Sequence, residues 1–134
     1  MASRPPCVFD SSAILALLLE ERGADAVEAR LPGAAVSTVT LGETLTKLLR
    51  AGAEPEAAAS RIRALDFIVI PWTEELVWQS LDLSPLAWTH GLSLADRACL
   101  ALARAMGRTA LTADTVWVRA VTSARARIAV ELFR

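Results

Sequence analysis

The sequence predicts an α/β fold in which helices surround a central, mostly parallel β-sheet. Short apolar runs at Cys7–Phe9, Ala35–Ser37 and Phe67–Ile70 are too brief for helices and are typical of strands buried on both faces. Helical segments separate these runs, and strands that alternate with helices favour a parallel sheet covered by helices. The 134 residues are enough for one domain, residues 1–134, with a substantial core.

Caps and stop signals place the helices between the strands. Ser11 and Ser12 open a helix that ends by Gly23, and the segment ADAVEARL predicts a second helix that stops at Pro32. Thr40 is expected to cap the next helix, which ends at Gly52. The later segments are a helix with Pro55 in its first turn, a helix that begins at Thr73 and breaks at Ser84–Pro85, and a final strand within Ala126–Phe133.

The stretch from Ser93 to Val118 is the centre of the predicted fold. Ser93 is a good N-cap for a nearly all-apolar helix from Leu94 to Met106, and Gly107 is the usual residue just past a helix end. A helix that is apolar on almost every face belongs to the interior. A short strand, Thr109–Thr112, is expected to follow it.

Composition excludes some classes of protein. The 14 basic and 15 acidic residues give a net charge of −1, so no overall positive field would recruit nucleic acid or a membrane surface. Cys7 and Cys99 lie in a predicted strand and in the apolar helix, and we expect buried, reduced thiols. The sequence has neither a signal-peptide pattern nor an apolar run of membrane-spanning length, which predicts a cytoplasmic protein.

Four acidic residues stand apart from the other eleven. Asp10 and Asp114 follow predicted strands, whereas Glu43 and Asp96 are expected in the first turns of helices. In a parallel sheet such positions share the carboxyl edge, where ligand sites form. Four carboxylates that close would repel each other unless a cation sits among them, and Mg²⁺ or Mn²⁺ suits such an all-oxygen set. Hydroxyl groups beside the acids come from Ser11, Ser12, Thr112 and Thr115.

Each acid also has an ordinary structural interpretation. Thr40 with Glu43, and Ser93 with Asp96, fit the spacing of capping boxes, in which the acid only satisfies helix N–H groups. Asp10 and Asp114 could likewise be turn or cap residues. The agreement of all four at one edge of one sheet favours the metal site.

The other chemical groups carry weaker signals. His90 is the only histidine and is expected in a loop with a structural role, so no Ser–His–Asp set can be built around it. Arginines gather in the central stretch and near the C-terminus, and some of them could line a path for a phosphate backbone. They are Arg97, Arg104, Arg108, Arg119, Arg125, Arg127 and Arg134.

Four segments resemble, in their order and spacing, the PIN-domain nucleases, specifically the VapC-type toxins of toxin–antitoxin pairs. The segments are VFDSSAILALL, TLGET, LSLADRACLALA and LTADTVW. The resemblance implies a three-layer α/β/α sandwich and an Mg²⁺- or Mn²⁺-dependent ribonuclease that a cognate antitoxin holds inactive. It also implies that the family's acidic site corresponds to Asp10, Glu43, Asp96 and Asp114, with Thr112 as the accompanying hydroxyl.

Three functions therefore compete. In a metal-dependent endoribonuclease, Asp10, Asp96 and Asp114 would be metal ligands, and Glu43 would hold a water on the ion or act as the base. A phospho-accepting signalling domain would need an adjacent acid pair after the first strand and a lysine near the last one. The only lysine, Lys47, lies in a predicted helix. The third possibility is a catalytically silent module that only binds a partner.

We also expect a partner and a homodimer. The hydrophobic fraction of 54% and the helices between Ser11 and Leu65 predict more apolar surface than a small monomer leaves in water. By resemblance, the partner is a small antitoxin that buries this surface and places a basic side chain among the acids.

Overall fold

The computed structural model describes residues 4–134 and contains a five-stranded, all-parallel sheet. The strand order is β3-β2-β1-β4-β5, so β1 lies at the centre, next to β2 and β4. This arrangement confirms the predicted fold class. The strands are β1 (Val8–Phe9), β2 (Ala35–Ser37), β3 (Ile68–Ile70), β4 (Ala110–Thr112) and β5 (Val130–Leu132).

Helices connect the strands and cover both faces of the sheet. They are α1 (Ser11–Leu18), α2 (Ala24–Glu28), α3 (Thr38–Arg50), α4 (Pro55–Ala64), α5 (Glu74–Gln79), α6 (Leu86–Thr89), α7 (Leu94–Met106) and α8 (Val116–Ser123). A 3-10 turn at Leu81–Leu83 stands between α5 and α6, close to the predicted break. No helix of residues 4–134 has both the length and the apolar character that crossing a membrane would require.

Two apolar cores sandwich the sheet, one on each face. Adjacent strand residues point to opposite faces. Val8 accordingly packs in a cluster with Leu100 of α7 and Trp117 of α8. Its neighbour Phe9 packs in the other cluster, which α1 to α4 supply, with Ile14 as a member. The result is the three-layer α/β/α sandwich.

Helix α7 agrees with the sequence prediction at both ends. Ser93 caps its first turn, and Gly107 follows it in the left-handed conformation with φ 63°. Its residues from Ala98 to Ala103 are all buried, and it packs against α3. This helix therefore holds Asp96 at a fixed place beside the sheet.

The prediction that Thr40 caps the third helix is wrong. Ser37, the last residue of β2, accepts a hydrogen bond from the N–H of Val39, so α3 already begins at Thr38. The hydroxyl of Ser37, at the very end of the strand, takes the capping role before the chain reaches Thr40. Thr40 instead lies inside the helix, buried, and its hydroxyl has no partner among the described residues.

The strand at Ile68–Ile70 is less buried than its sequence suggests. It forms the edge of the sheet, and Ile68 and Val69 are 48% and 41% exposed. A continuous apolar run predicts a strand, but it does not show whether that strand lies at the centre or the edge.

Candidate active site

All four acids of interest come from segments that leave the carboxyl edge of the sheet. Asp10 directly follows β1, and Asp114 lies two residues after β4. Glu43 is on α3, which follows β2, and Asp96 is in the first turn of α7, which packs against α3 and β1. Tertiary structure thus brings together elements that are far apart in the sequence.

Asp10 is the most constrained of the four acids. Its side chain is 7% exposed and caps α1, because Oδ1 accepts the N–H of Ala13 at 3.0 Å. The same oxygen accepts the hydroxyl of Ser12 at 2.6 Å, and Oδ2 accepts the hydroxyl of Thr112 at 2.6 Å. The cap interpretation is therefore correct, yet the carboxylate also bonds across the sheet to β4.

Two hydroxyls join the end of β1 to the end of β4. Thr112 is fully buried, donates to Asp10 and accepts the N–H of Asp114 at 3.0 Å. Ser12 donates to Asp10 and accepts the N–H of Ala113 at 3.0 Å. These two groups fix the turn that presents Asp114, whose Oδ1 accepts the N–H of Val116 at 2.9 Å. Thr115, the fourth predicted hydroxyl, makes no side-chain cap contact.

Glu43 does not cap a helix. It lies in the second turn of α3, whose first turn contains no acid, so the predicted first-turn position and the capping box with Thr40 are both wrong. Its Oε1 instead accepts the hydroxyl of Ser11 at 2.6 Å and lies 3.6 Å from Nζ of Lys47. The carboxylate therefore has no local backbone role that would explain it.

Asp96 does form the predicted capping box. Ser93 Oγ accepts the N–H of Asp96 at 3.1 Å, and Asp96 Oδ2 accepts the N–H of Ser93 at 2.9 Å. One carboxylate oxygen is thus committed to the helix end. Apart from Ser93, no side chain of residues 4–134 hydrogen-bonds to the Asp96 carboxylate.

The acids influence one another electrostatically. Burial raises the pKa of Asp10 despite hydrogen bonds from Ser12, Thr112 and Ala13, and the charge of Asp96 raises it further. Burial also raises the pKa of Asp96, to which the charges of Glu43 and Asp114 add. Nearby basic groups therefore do not fully compensate the negative charge of the acids at the carboxyl edge of the sheet.

The donor chemistry of this edge fits a hard divalent cation. Carboxylate and hydroxyl oxygens are the groups that Mg²⁺ and Mn²⁺ prefer, and a cation would relieve the repulsion that raises the pKa values of Asp10 and Asp96. In residues 4–134, however, no three acidic, histidine or cysteine side chains already stand close enough to enclose an ion. An ion would have to compete with the present hydrogen-bond partners of the acids.

Sequence analysis missed the position of Lys47. This lysine hydrogen-bonds to Ser11 at 3.0 Å and pairs with Glu43 at the same edge. The available signal was its spacing, because residues four apart on a helix lie on one face.

Several of the arginines have partners away from the four acids. Arg104 forms a two-pronged pair with Asp82, and Arg134 contacts Glu21. Arg97, which follows Asp96, has a buried Nε without a partner among the described residues. The His90 ring hydrogen-bonds to the neighbouring Thr89 hydroxyl at 2.9 Å, and its structural role stays a prediction.

Replacing Thr112 with valine tests the link between β1 and β4. Valine keeps the shape, but it removes the donor to Asp10 and the acceptor for the N–H of Asp114, so we expect the free energy of unfolding to fall by about 1–3 kcal/mol. Urea denaturation measures the change. The matched control is Thr122→Val at an exposed position of α8, which should stay within about 0.5 kcal/mol of the wild type. Equal effects of the two variants would contradict the role of Thr112.

Comparisons with known proteins agree with this architecture. A model of the PIN domain matches residues 7–122. No curated protein gives a match. Similar solved structures include a DNA-bound VapBC from Salmonella typhimurium, with a TM-score of 0.73 and 13% identity, covering 98% of this chain and 100% of that one.

Two further structures have the same fold. VapBC2 from Rickettsia felis, bound to a DNA fragment from the promoter, has a TM-score of 0.72 and 14% identity, covering 96% of this chain and 98% of that one. VapC20 from Mycobacterium tuberculosis, described as a Sarcin-Ricin loop cleaving toxin, has a TM-score of 0.64 and 25% identity, covering 78% and 86%. The family match covers most of the sequence, and the chain therefore belongs to the PIN domain family.

Proposed function

We propose that this chain is a metal-dependent endoribonuclease and the toxin of a toxin–antitoxin pair. The observation that carries the proposal is the undercompensated negative charge at the carboxyl edge, where burial and neighbouring carboxylates raise the pKa values of Asp10 and Asp96. Membership of the PIN domain family and the fold shared with VapC toxins support it. Buried, mutually repelling carboxylates that lower stability are typical of functional sites.

In this proposal the acids have different roles. Asp10, Asp96 and Asp114 hold Mg²⁺ or Mn²⁺, and Ser12 and Thr112 orient Asp10 by hydrogen bonds to both of its oxygens. A bound divalent cation supplies a Lewis acid that stabilises negative charge on the phosphate. Glu43 accepts the proton of the attacking water, and its contact with Ser11 orients the carboxylate for that task.

RNA is the proposed substrate. One similar structure is that of a toxin described as cleaving the Sarcin-Ricin loop, and the resemblance found in the sequence implies ribonuclease activity. The net charge of −1 offers no overall attraction for a polyanion, so local cations must hold the backbone. Arg97 suits this role, because it adjoins Asp96 and no carboxylate of the described residues pairs with it.

Two alternatives are less well supported. A silent interaction module needs no concentration of acids, and a metal titration followed by a nuclease assay separates it from an enzyme. A phospho-accepting domain needs an acid pair after the first strand, whereas Asp10 is followed by Ser11 and Ser12. Its lysine should follow the last strand, whereas Lys47 lies on α3.

An antitoxin is the proposed partner, because several similar structures are toxin–antitoxin complexes. Between α3 and α4 lies a mostly apolar groove of about 280 Å³, which overlaps the region Ser11–Leu65 that the sequence predicted to bind a partner and extends to β3. Its apolar lining consists of Leu41, Leu45, Ala59, Ile62, Phe67 and Val69. The groove accepts the apolar face of a short helix or strand.

The most exposed large apolar side chains lie outside that predicted region. Trp88 is 75% exposed, and Trp78 and Leu81 are each 64% exposed. Leu94, also outside the region, and Leu19, inside it, are each 50% exposed. We assign the proposed homodimer to this surface, because buried aromatic anchors are typical of protein interfaces. The dimer and a cytoplasmic location both stay predictions.

Asp96→Asn should abolish RNA cleavage and leave the fold intact. Asparagine can still accept the N–H of Ser93, but it loses the charge that holds a cation, so we expect the cleavage rate to fall at least about 100-fold. A gel assay with radiolabelled RNA measures the rate, and circular dichroism checks the fold. Asp25→Asn, an exposed acid at the start of α2, is the control and should cleave like the wild type. If Asp96→Asn cleaves RNA at the wild-type rate, Asp96 serves only as a helix cap.

Divalent cations should raise the melting temperature. A ligand that binds only the native state at about ten times its dissociation constant adds about 1.4 kcal/mol, or roughly 5 °C for a chain of this size. Asp10→Asn should lose most of this gain, and Asp25→Asn should keep it. Thermal melts with EDTA, Mg²⁺ or Mn²⁺ measure the effect, and melting curves that neither ion changes would count against the metal site.

A charge in the α3–α4 groove should weaken antitoxin binding. Leu45→Glu places a carboxylate against the apolar partner face, so we expect the dissociation constant to rise at least about tenfold. The control is Thr46→Glu, which adds the same charge at the next, exposed position. Calorimetry with the product of the neighbouring gene measures affinity, and light scattering reports the mass of each species. Equal affinities of the two variants would exclude this groove as the binding surface.

A further inference from the structure

The only lysine of the chain lies within the acidic edge. Lys47 is one helical turn after Glu43 on α3, and its Nζ lies 3.0 Å from Ser11 Oγ and 3.6 Å from Glu43 Oε1. The Ser11 hydroxyl in turn donates to the same Glu43 oxygen at 2.6 Å. Lysine, serine and glutamate thus form a closed set of three polar contacts.

Among the described residues, Lys47 is also the only basic side chain that forms an ion pair with any of the four acids. The other ion pairs of residues 4–134 connect arginines with Glu131, Asp82 and Glu21, which lie outside the candidate site. A single positive charge therefore faces four carboxylates, and it does so at Glu43. This leaves most of the repulsion among the acids uncompensated.

The lysine and the water of a bound ion need the same carboxylate. In the proposed function Glu43 accepts a proton from that water, whereas its Oε1 now accepts the hydroxyl of Ser11 and lies 3.6 Å from the ammonium group of Lys47. An ammonium group beside a divalent ion would repel it. The side chain of Lys47 is 51% exposed and flexible, so its charged end can move into water without disturbing the core.

We propose that Lys47 is a tethered counter-ion, which neutralises Glu43 in the metal-free protein and withdraws when a divalent cation binds. Lys47 is in this sense a positioning residue, since it acts by holding Glu43 and Ser11 in place. Its withdrawal costs the ion part of its binding free energy, so the lysine lowers metal affinity and sets the ion concentration at which the site fills. This inference rests on the proposed function.

A titration with Mn²⁺ tests the proposal without any activity assay. Calorimetry or electron paramagnetic resonance gives the dissociation constant for the wild type, Lys47→Met, Lys47→Arg and Arg50→Met. We expect Lys47→Met to bind Mn²⁺ about tenfold more tightly, because the repelling charge is gone. Lys47→Arg keeps the charge and should bind like the wild type. Arg50→Met removes a charge from the same helix and should also bind like the wild type.

Thermal melts separate this role from a purely structural one. In EDTA, Lys47→Met should melt below the wild type, because Glu43 loses its counter-ion. With saturating Mn²⁺, its melting temperature should rise by more than that of the wild type. If Lys47 only stabilises α3, Lys47→Met should lower the melting temperature equally in EDTA and in saturating Mn²⁺. The dissociation constant for Mn²⁺ should then stay unchanged.

The outcomes distinguish this inference from the proposed function. If the wild type binds Mn²⁺, Asp96→Asn does not, and Lys47→Met binds no more tightly than the wild type, the counter-ion role is wrong and the metal site stands. If no variant binds at millimolar Mn²⁺, both proposals fall. If Lys47→Met binds Mn²⁺ and the wild type does not, the lysine prevents ion binding altogether, which is the strongest form of the inference.

Discussion

The structure of the candidate site depends on the buried carboxylate of Asp10. It accepts hydrogen bonds from the backbone of α1, from Ser12 and, across the sheet, from Thr112 on β4. These bonds fix the end of β1 relative to the end of β4, and Thr112 extends the connection to the backbone of Asp114. Without this acceptor, the buried hydroxyl of Thr112 and the partly buried hydroxyl of Ser12 would lose their partner at a cost in stability.

The remaining acids are stabilised by different local means. Asp96 lies in the first turn of α7, where the positive end of the helix dipole and the N–H of Ser93 favour a carboxylate. Asp114 accepts the N–H of Val116, and Glu43 relies on Ser11 and Lys47. Each acid is thus held singly, while the repulsion among them persists. Burial raises the pKa of the Cys99 thiol well above its usual range, and the charges of Asp10, Asp96 and Glu43 add to this shift.

A carboxylate that caps a helix can also belong to the proposed metal site. Asp10 and Asp96 both cap helices, so the ordinary structural interpretation is correct for each, yet both also lie at the shared edge. A cap uses one carboxylate oxygen and holds the side chain at the N-terminus of a helix. In this fold the helix N-termini lie at the edge where the strands end. The geometry of a parallel α/β sheet therefore places caps and ligand sites at the same positions. Glu43 caps no helix, and its carboxylate is held by Ser11 and Lys47 instead.

The sequence alone determined the fold class and the edge at which the acids lie. Both follow from local patterns, since strand and helix periods, the Ser93 cap and the Gly107 stop depend on neighbouring residues. The start of α3 was missed by three residues, because Ser37 and Thr40 are both competent caps and only the end of β2 decides between them. Tertiary structure decided the strand order, the exposure of β3 and the contact of Lys47 with Ser11. These features depend on residues that are far apart in the chain. The distance between Lys47 and Ser11, for example, is set by the packing of α3 and α1 on the sheet, which no local sequence pattern encodes.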